Sequence, residues 1–161
     1  MSATFDVMRY QDPMTIQRML LSAKTVAIVG LSSNPLRASY FVGYYLQRHG
    51  YQIIPVNPAE SQILGAKSYA TLREIPIAVD IVDVFRNPAA LPAIAKDAVA
   101  IGAKCLWGQY SVVNEEAARI AESGGLAVIM DRCLKVEHAR YLGRMHWLGF
   151  NTQRITSLRT G

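Results

Sequence analysis

The chain has 161 residues, 51% of them hydrophobic, with 17 Lys and Arg against 12 Asp and Glu for a formal net charge of +5. That length suits one domain, spanning 1–161, whose core covers both faces of a sheet, and the apolar runs are strand-sized, short of the roughly 18–20 residues of a membrane helix. The basic residues are spread without the solid block that would indicate nucleic acid, while Cys105 and Cys133 sit in no C-x-x-C spacing and no basic-then-apolar leader opens the chain, so a soluble cytoplasmic protein without a disulfide framework is expected.

The first expected element is a helix over about 13–23, with Asp12 as its N-cap, Pro13 at the first helical position, and Ile16, Met19 and Leu20 on one face. A strand follows over Thr25–Val29, then a turn at Gly30, then a helix over 39–49 that Gly50 stops. A second strand runs Gln52–Val56. Asn57-Pro58 turns the chain into an irregular stretch around 65–69, and a short helix is expected near 71–74. The third strand is placed at 79–85, and Pro88 opens a helix that Gly102 ends. Residues 104–107 read as the fourth strand. Asn114 caps a helix through Ser123, Leu126–Met130 is the fifth strand, a final helix runs 135–148, and the tail 151–161 reads as loose.

Strands separated by helices of this length imply right-handed crossovers and an α/β, Rossmann-like, doubly wound parallel sheet of five strands with helices on both faces. Ligands in such sheets bind beyond the carboxyl ends of the strands, where strand order reverses. Each strand here ends on residues suited to meeting a ligand, namely Gly30-Leu31-Ser32-Ser33, Asn57-Pro58, Arg86-Asn87, Gly108-Gln109 and Asp131-Arg132.

The turn after the first strand, Val29-Gly30-Leu31-Ser32-Ser33-Asn34-Pro35-Leu36-Arg37, lacks the spaced glycines of G-x-G-x-x-G but would present backbone N–H groups and the Ser32 and Ser33 hydroxyls to an anion at a helix start. Arg37 stands where its guanidinium could fork onto a phosphate. At the end of the second strand, Asn57 replaces the acidic residue by which an NAD site holds its ribose, which argues against NAD; Glu60, past Pro58, is a conceivable ribose partner for a related nucleotide. Phe85 and Arg86 pair an apolar wall with a cation. Cys133, beside Arg132 and near a helix start, could carry a reactive thiol with a depressed pKa, but a lone cysteine reads better as a small buried hydrophobe. Cys105 reads as packing. His49, His138 and His146 show no metal-binding spacing, and Asp80, Asp83 and Asp131 form no nucleophile–base order.

The segments Val29–Pro35, Pro55-Val56-Asn57-Pro58, Val82-Asp83-Val84-Phe85-Arg86 and Asp131-Arg132-Cys133 resemble the small coenzyme A-binding proteins, which are similar to the nucleotide-binding half of the succinyl-CoA synthetase α subunit. The resemblance spans about 22–142 and implies coenzyme A as ligand, held by Gly30, Ser32, Ser33, Asn34, Arg37, Pro55, Asn57, Pro58, Phe85, Arg86, Gln109, Arg132 and Cys133. Trp107-Gly108-Gln109 resembles the family's W-x-Q segment, although Tyr110-Ser111 stands where a glycine often follows. The expected function is binding of coenzyme A or an acyl-CoA at the carboxyl edge of the sheet, without catalysis, metal, nucleic acid or membrane. Two alternatives stand beside it: an NADP-dependent oxidoreductase or other small nucleotide-dependent enzyme in the same groove, and a CoA-sensing module that meets a partner through Arg140, Arg144, His146 and Trp147.

Overall fold

The structure, a computed structural model, describes residues 4–143. Among these residues seven strands and five α-helices follow one another: α1 Pro13–Ser22, β1 Thr25–Val29, α2 Ala38–Arg48, β2 Gln52–Val56, β3 Gln62–Ile63, β4 Ala66–Lys67, β5 Ile81–Val84, α3 Leu91–Ala100, β6 Cys105–Gly108, α4 Glu115–Ser123, β7 Ala127–Ile129 and α5 Leu134–His138. Five strands form one parallel sheet in the order β2-β1-β5-β6-β7, while β3 and β4 pair as a separate antiparallel hairpin. The order runs outward in both directions from the β1–β5 pair, which makes their carboxyl ends the switch point of the sheet.

Alternation along the strands divides the core. Ala27, Val29, Ile54, Val56, Val82, Val84, Leu106 and Val128 pack beneath α3 and α4, whose contact surface is largely alanine. Val26, Ile28, Ile53, Ile81, Trp107 and Ile129 face α1, α2 and α5 through Ile16, Leu20, Val42, Leu46 and Leu134. Both faces are covered, so the strands read as near-continuous apolar runs rather than alternating ones.

Element ends follow local chemistry. Asp12 caps α1 by accepting from the Thr15 N–H at 3.0 Å, and Asn114 caps α4 by accepting from the Ala117 N–H at 2.9 Å. The β3–β4 turn has positive φ at both central residues, Leu64 at 54° and Gly65 at 77°, the type I′ form that suits a two-residue hairpin. Strand β2 is an edge. Gln52 donates to Lys24 and Val56 accepts from Gly30, both toward β1, so Pro55 faces outward, where its carbonyl accepts from the Tyr69 N–H at 3.0 Å. A proline fits that position because the ladder asks no N–H of it.

Several expectations shift. The third strand, Ile81–Val84, is shorter than 79–85; Asp80, just before it, accepts from the Lys24 and Thr25 N–H groups with its carboxylate. Pro88 opens a 3-10 turn, Pro88–Ala90, before α3 begins at Leu91. The last helix begins at Leu134 and passes into a π-helical turn over Ala139–Gly143; its expected continuation to 148 and the tail lie outside the described residues. Sequence reading also missed the 3-10 turn Val7–Tyr10, which straps across the far sheet edge through Met130 N–H to Tyr10 carbonyl and Tyr10 hydroxyl to Glu122. No described helix is long and apolar enough to cross a membrane.

Candidate ligand site at the switch point

The chain leaves β1 at Gly30, with φ +89°, and crosses directly over the end of β5. A Cβ there would stand 2.6 Å from the Phe85 carbonyl oxygen and 3.0 Å from Cδ of Arg86, so only glycine fits. The loop that follows is built by its own side chains. Ser32 Oγ accepts from the Asn34 N–H at 3.0 Å, Asn34 Oδ1 accepts from the Leu36 N–H at 2.9 Å, and the buried Ser39 hydroxyl accepts from the Ser32 N–H at 2.9 Å. Asn57 staples the loop to β2, its Nδ2 donating to the Leu31 carbonyl and its Oδ1 accepting from the Ala59 N–H. Ser33 donates to Glu60 at 2.9 Å across the same gap.

These bonds narrow the expected source of anion donors. The N–H groups of Gly30 and Ser32 are spent on Val56 and Ser39. Further donors lie one turn later, at the start of α2. Arg37 is its N-cap without a side-chain cap bond, and the N–H groups of Ala38 and Ser39 lack acceptors one turn back, as the first turn of a helix must. Gly30, Ser32, Arg37, Ala38, Ser39 and Phe85 line an open groove of about 380 Å³ around that point. Arg37 is exposed, and among the described residues neither it nor Arg86 is paired with a carboxylate.

A second groove, about 200 Å³, opens on the other face of the sheet beside α3, with Val29, Val56, Leu72, Ile94 and Arg86 among its walls. Gly30 and the Phe85-Arg86 backbone stand between the two. An elongated ligand with anionic groups at its middle could therefore cross the sheet end at Gly30, between Arg37 on one side and Arg86 on the other.

The remaining expected residues divide. Pro55 lies inside edge strand β2, with Pro58 exposed in the turn beyond it. Gln109 is buried, its amide donating to Asp83 Oδ1 at 2.7 Å. Arg132 turns toward the N-terminal strap, donating to the Gln11 side chain at 3.0 Å and to the Asp131 carbonyl. Cys133 fits the small buried hydrophobe rather than the reactive thiol: burial pushes its thiol up, outweighing the Val136 and Lys135 N–H groups that act the other way. Cys105 is buried and pushed up likewise, and Trp107 is wholly enclosed, its indole donating to the Arg132 carbonyl at 2.8 Å. His138 is buried and shares a 2.8 Å hydrogen bond with the Tyr45 hydroxyl, while His49 stacks on Tyr45. No cluster of metal-ligating side chains occurs among the described residues.

Sequence reasoning missed Ser39 as the support of the loop and left the state of Asp83 open. Asp83 is wholly enclosed in β5, and burial, only partly offset by Gln109, pushes its carboxyl up to about 8. It is therefore mostly un-ionised at neutral pH.

The family model for the CoA binding domain matches residues 24–139, a span that holds the whole parallel sheet and both grooves. The chain belongs to this CoA-binding domain family. The chain is 44% identical over 124 residues to the uncharacterized protein YneT of Bacillus subtilis, covering 77% of this chain and 92% of that one. A solved structure described as a hypothetical protein from Pyrococcus horikoshii superposes with a TM-score of 0.82 at 36% identity, covering 89% of this chain and 100% of the other. A shorter match, 35% identical over 57 residues, is to the α subunit of an ADP-forming acetate–CoA ligase II of Pyrococcus furiosus; it takes in 35% of this chain and 12% of the ligase subunit.

Proposed function

We propose that this protein binds coenzyme A or an acyl-CoA at the β1–β5 switch point and has no catalysis of its own. The observation that carries the reading is the pair of arginines, Arg37 and Arg86, unpaired among the described residues and flanking a glycine that nothing larger can replace, with one groove on each face of the sheet. Coenzyme A offers what that arrangement asks for: phosphates near its middle, an aromatic base at one end and a partly apolar arm at the other. Arg37 and the first turn of α2 would hold phosphate oxygens, with the Ser32 hydroxyl as a further donor. Arg86 and the apolar wall beside α3 suit the other half of the ligand. Gly30 lets the backbone stay low enough for the ligand to pass over it. Asn57 supports the reading from the opposite side, since both ends of its side chain are used within the fold and it offers a ribose no acid. With both cysteines free and buried, a reducing cytoplasmic setting completes the proposal.

Isothermal titration with coenzyme A, 3′-dephospho-CoA, NAD and NADP on one preparation tests the reading. Tight binding of coenzyme A that weakens without the 3′-phosphate is the expected result. Binding of NADP alone would overturn it in favour of the oxidoreductase, and binding of none of the four would leave the site without its proposed ligand.

A further inference from the structure

Ser39 joins the β1–α2 loop to the groove at Arg37. It lies in the first turn of α2, is 5% exposed, and forms part of the groove wall with Gly30, Ser32, Arg37, Ala38 and Phe85. Its hydroxyl accepts from the Ser32 N–H at 2.9 Å. A serine hydroxyl also has a proton to give, and a helical serine often gives it to the carbonyl four residues back, as Ser22 does to Arg18 at 2.8 Å. Ser39 makes no such bond, and its hydroxyl finds no acceptor among the described residues. A nearly enclosed donor left open at the wall of a groove calls for an explanation.

Its neighbours say what kind of group would take that proton. The N–H groups of Ala38 and Ser39 lack acceptors, the Arg37 guanidinium is paired with no carboxylate among the described residues, and none of the groove residues is acidic. Glu60, which reaches the loop from the β2 side, is held by the Ser33 hydroxyl at 2.9 Å. Donors dominate at this point, so the fitting occupant is an acceptor with no proton of its own, as an ionised phosphate oxygen is. We propose that the Ser39 hydroxyl donates to a phosphate oxygen of the bound ligand, so that one oxygen atom stands between that phosphate and the Ser32 N–H. This rests on the coenzyme A reading above and names the residue through which the phosphate acts on the loop.

A hydroxyl that donates to an anion becomes a stronger acceptor, because hydrogen bonds in a chain polarise one another. Filling the site therefore strengthens the bond from the Ser32 N–H. The loop is held together by the bonds from Asn34 to Ser32, from Leu36 to Asn34 and from Asn57 to Leu31, so a firmer anchor at Ser32 steadies it as one piece. The coupling runs both ways: the phosphate steadies the loop, and the steadied loop holds the hydroxyl toward the phosphate.

The test is calorimetric titration of the full chain with coenzyme A in about 0.5 M sodium chloride, where charges more than about 4 Å apart are largely screened. Ser39→Thr, which keeps the hydroxyl, should bind like the wild type, and Ser39→Ala should bind about tenfold more weakly, the worth of one hydrogen bond to a charged group. Two variants of one shape separate donation from loop support. Ser39→Asn and Ser39→Asp both offer an oxygen to the Ser32 N–H, but only the amide has a proton to give. The expected order of affinity is Ser39→Asn, then Ser39→Ala, then Ser39→Asp, with circular dichroism reporting all three folded. In the wild type, hydrogen exchange at the Ser32 amide should slow when coenzyme A is added. Native affinity in Ser39→Ala, equal affinity of Ser39→Asn and Ser39→Asp, or unchanged exchange at Ser32 overturns the inference and leaves coenzyme A binding intact. A wild type that does not bind coenzyme A overturns both.

Discussion

Gly30 and Phe85 meet backbone to backbone at the end of the sheet: the position a Cβ would take on Gly30 lies 2.6 Å from the Phe85 carbonyl oxygen. The groove at Arg37 depends on that contact, because it keeps the β1–α2 loop low over β5 and leaves Arg37 and Arg86 on opposite sides of it. Gly30→Ala should therefore act twice. It forces a positive φ on a side chain, at about 1–3 kcal/mol, and it pushes the loop off Phe85. Thermal denaturation should show a lowered melting temperature, and titration at a temperature where the variant is folded should show coenzyme A affinity falling at least tenfold. A variant with native melting and native affinity would refute the tight crossing.

The Arg37 side chain is exposed and holds no other described element in place, so Arg37→Ala should leave the melting temperature unchanged. If it holds a phosphate, the variant should lose about 1.5–3 kcal/mol of binding free energy, the range for hydrogen bonds to charged groups. Arg37→Lys should recover part of this, since a point charge replaces a fork. Unchanged affinity by calorimetry would remove Arg37 from the site.

Asp83 makes the folded protein pH-sensitive in a stated direction. Its carboxyl is raised from 3.8 to about 8 in the folded state. Between those values the unfolded chain has released the proton that the folded chain keeps, so this group's contribution to stability falls as pH rises from about 4 to about 8 and is flat above. The full span corresponds to a ceiling of about 5–6 kcal/mol at 1.36 kcal/mol per unit. Urea denaturation at pH 5, 6.5 and 8 should show declining stability for the wild type. Asp83→Asn should flatten the profile and melt above the wild type at pH 8; identical slopes for the two proteins would place the carboxyl in water.

Cys133 should behave as a packing residue. With its thiol buried and pushed up, thiolate is scarce at pH 7, so alkylation by iodoacetamide should be slow in the native protein and complete in denaturant. Mass spectrometry after incubation with oxidised coenzyme A should find no mixed disulfide at Cys133. An adduct formed within minutes would restore the reactive thiol.

Much of the fold could be read from residue pattern. Strands β1 and β2 fall where runs such as Thr25–Val29 and Gln52–Val56 place them, and Asp12 and Asn114 cap the helices they were expected to cap. Such signals are local. The site was legible only in part, because its decisive relations join residues distant in sequence. That Gln109 would turn inward to Asp83, or Arg132 outward to Gln11, depends on how β5, β6 and the N-terminal strap are set side by side, which neither spacing nor composition encodes. Ser39 was passed over because a serine in the first turn of a helix has many uses, and only the fold shows its hydroxyl beneath the Ser32 N–H. The hairpin β3–β4 escaped notice because Leu64 takes a positive φ that leucine seldom adopts.

Pro55 carries a last consequence. It faces outward from the long side of β2 that β1 leaves uncovered, and its carbonyl is already occupied by Tyr69. A strand arriving from another molecule would find one amide missing and one carbonyl taken at the same rung. The sheet thus stops at this border by chemistry rather than by bulk, and crowding many copies together gives them no continuous backbone seam along this edge of β2 on which to grow a fibre.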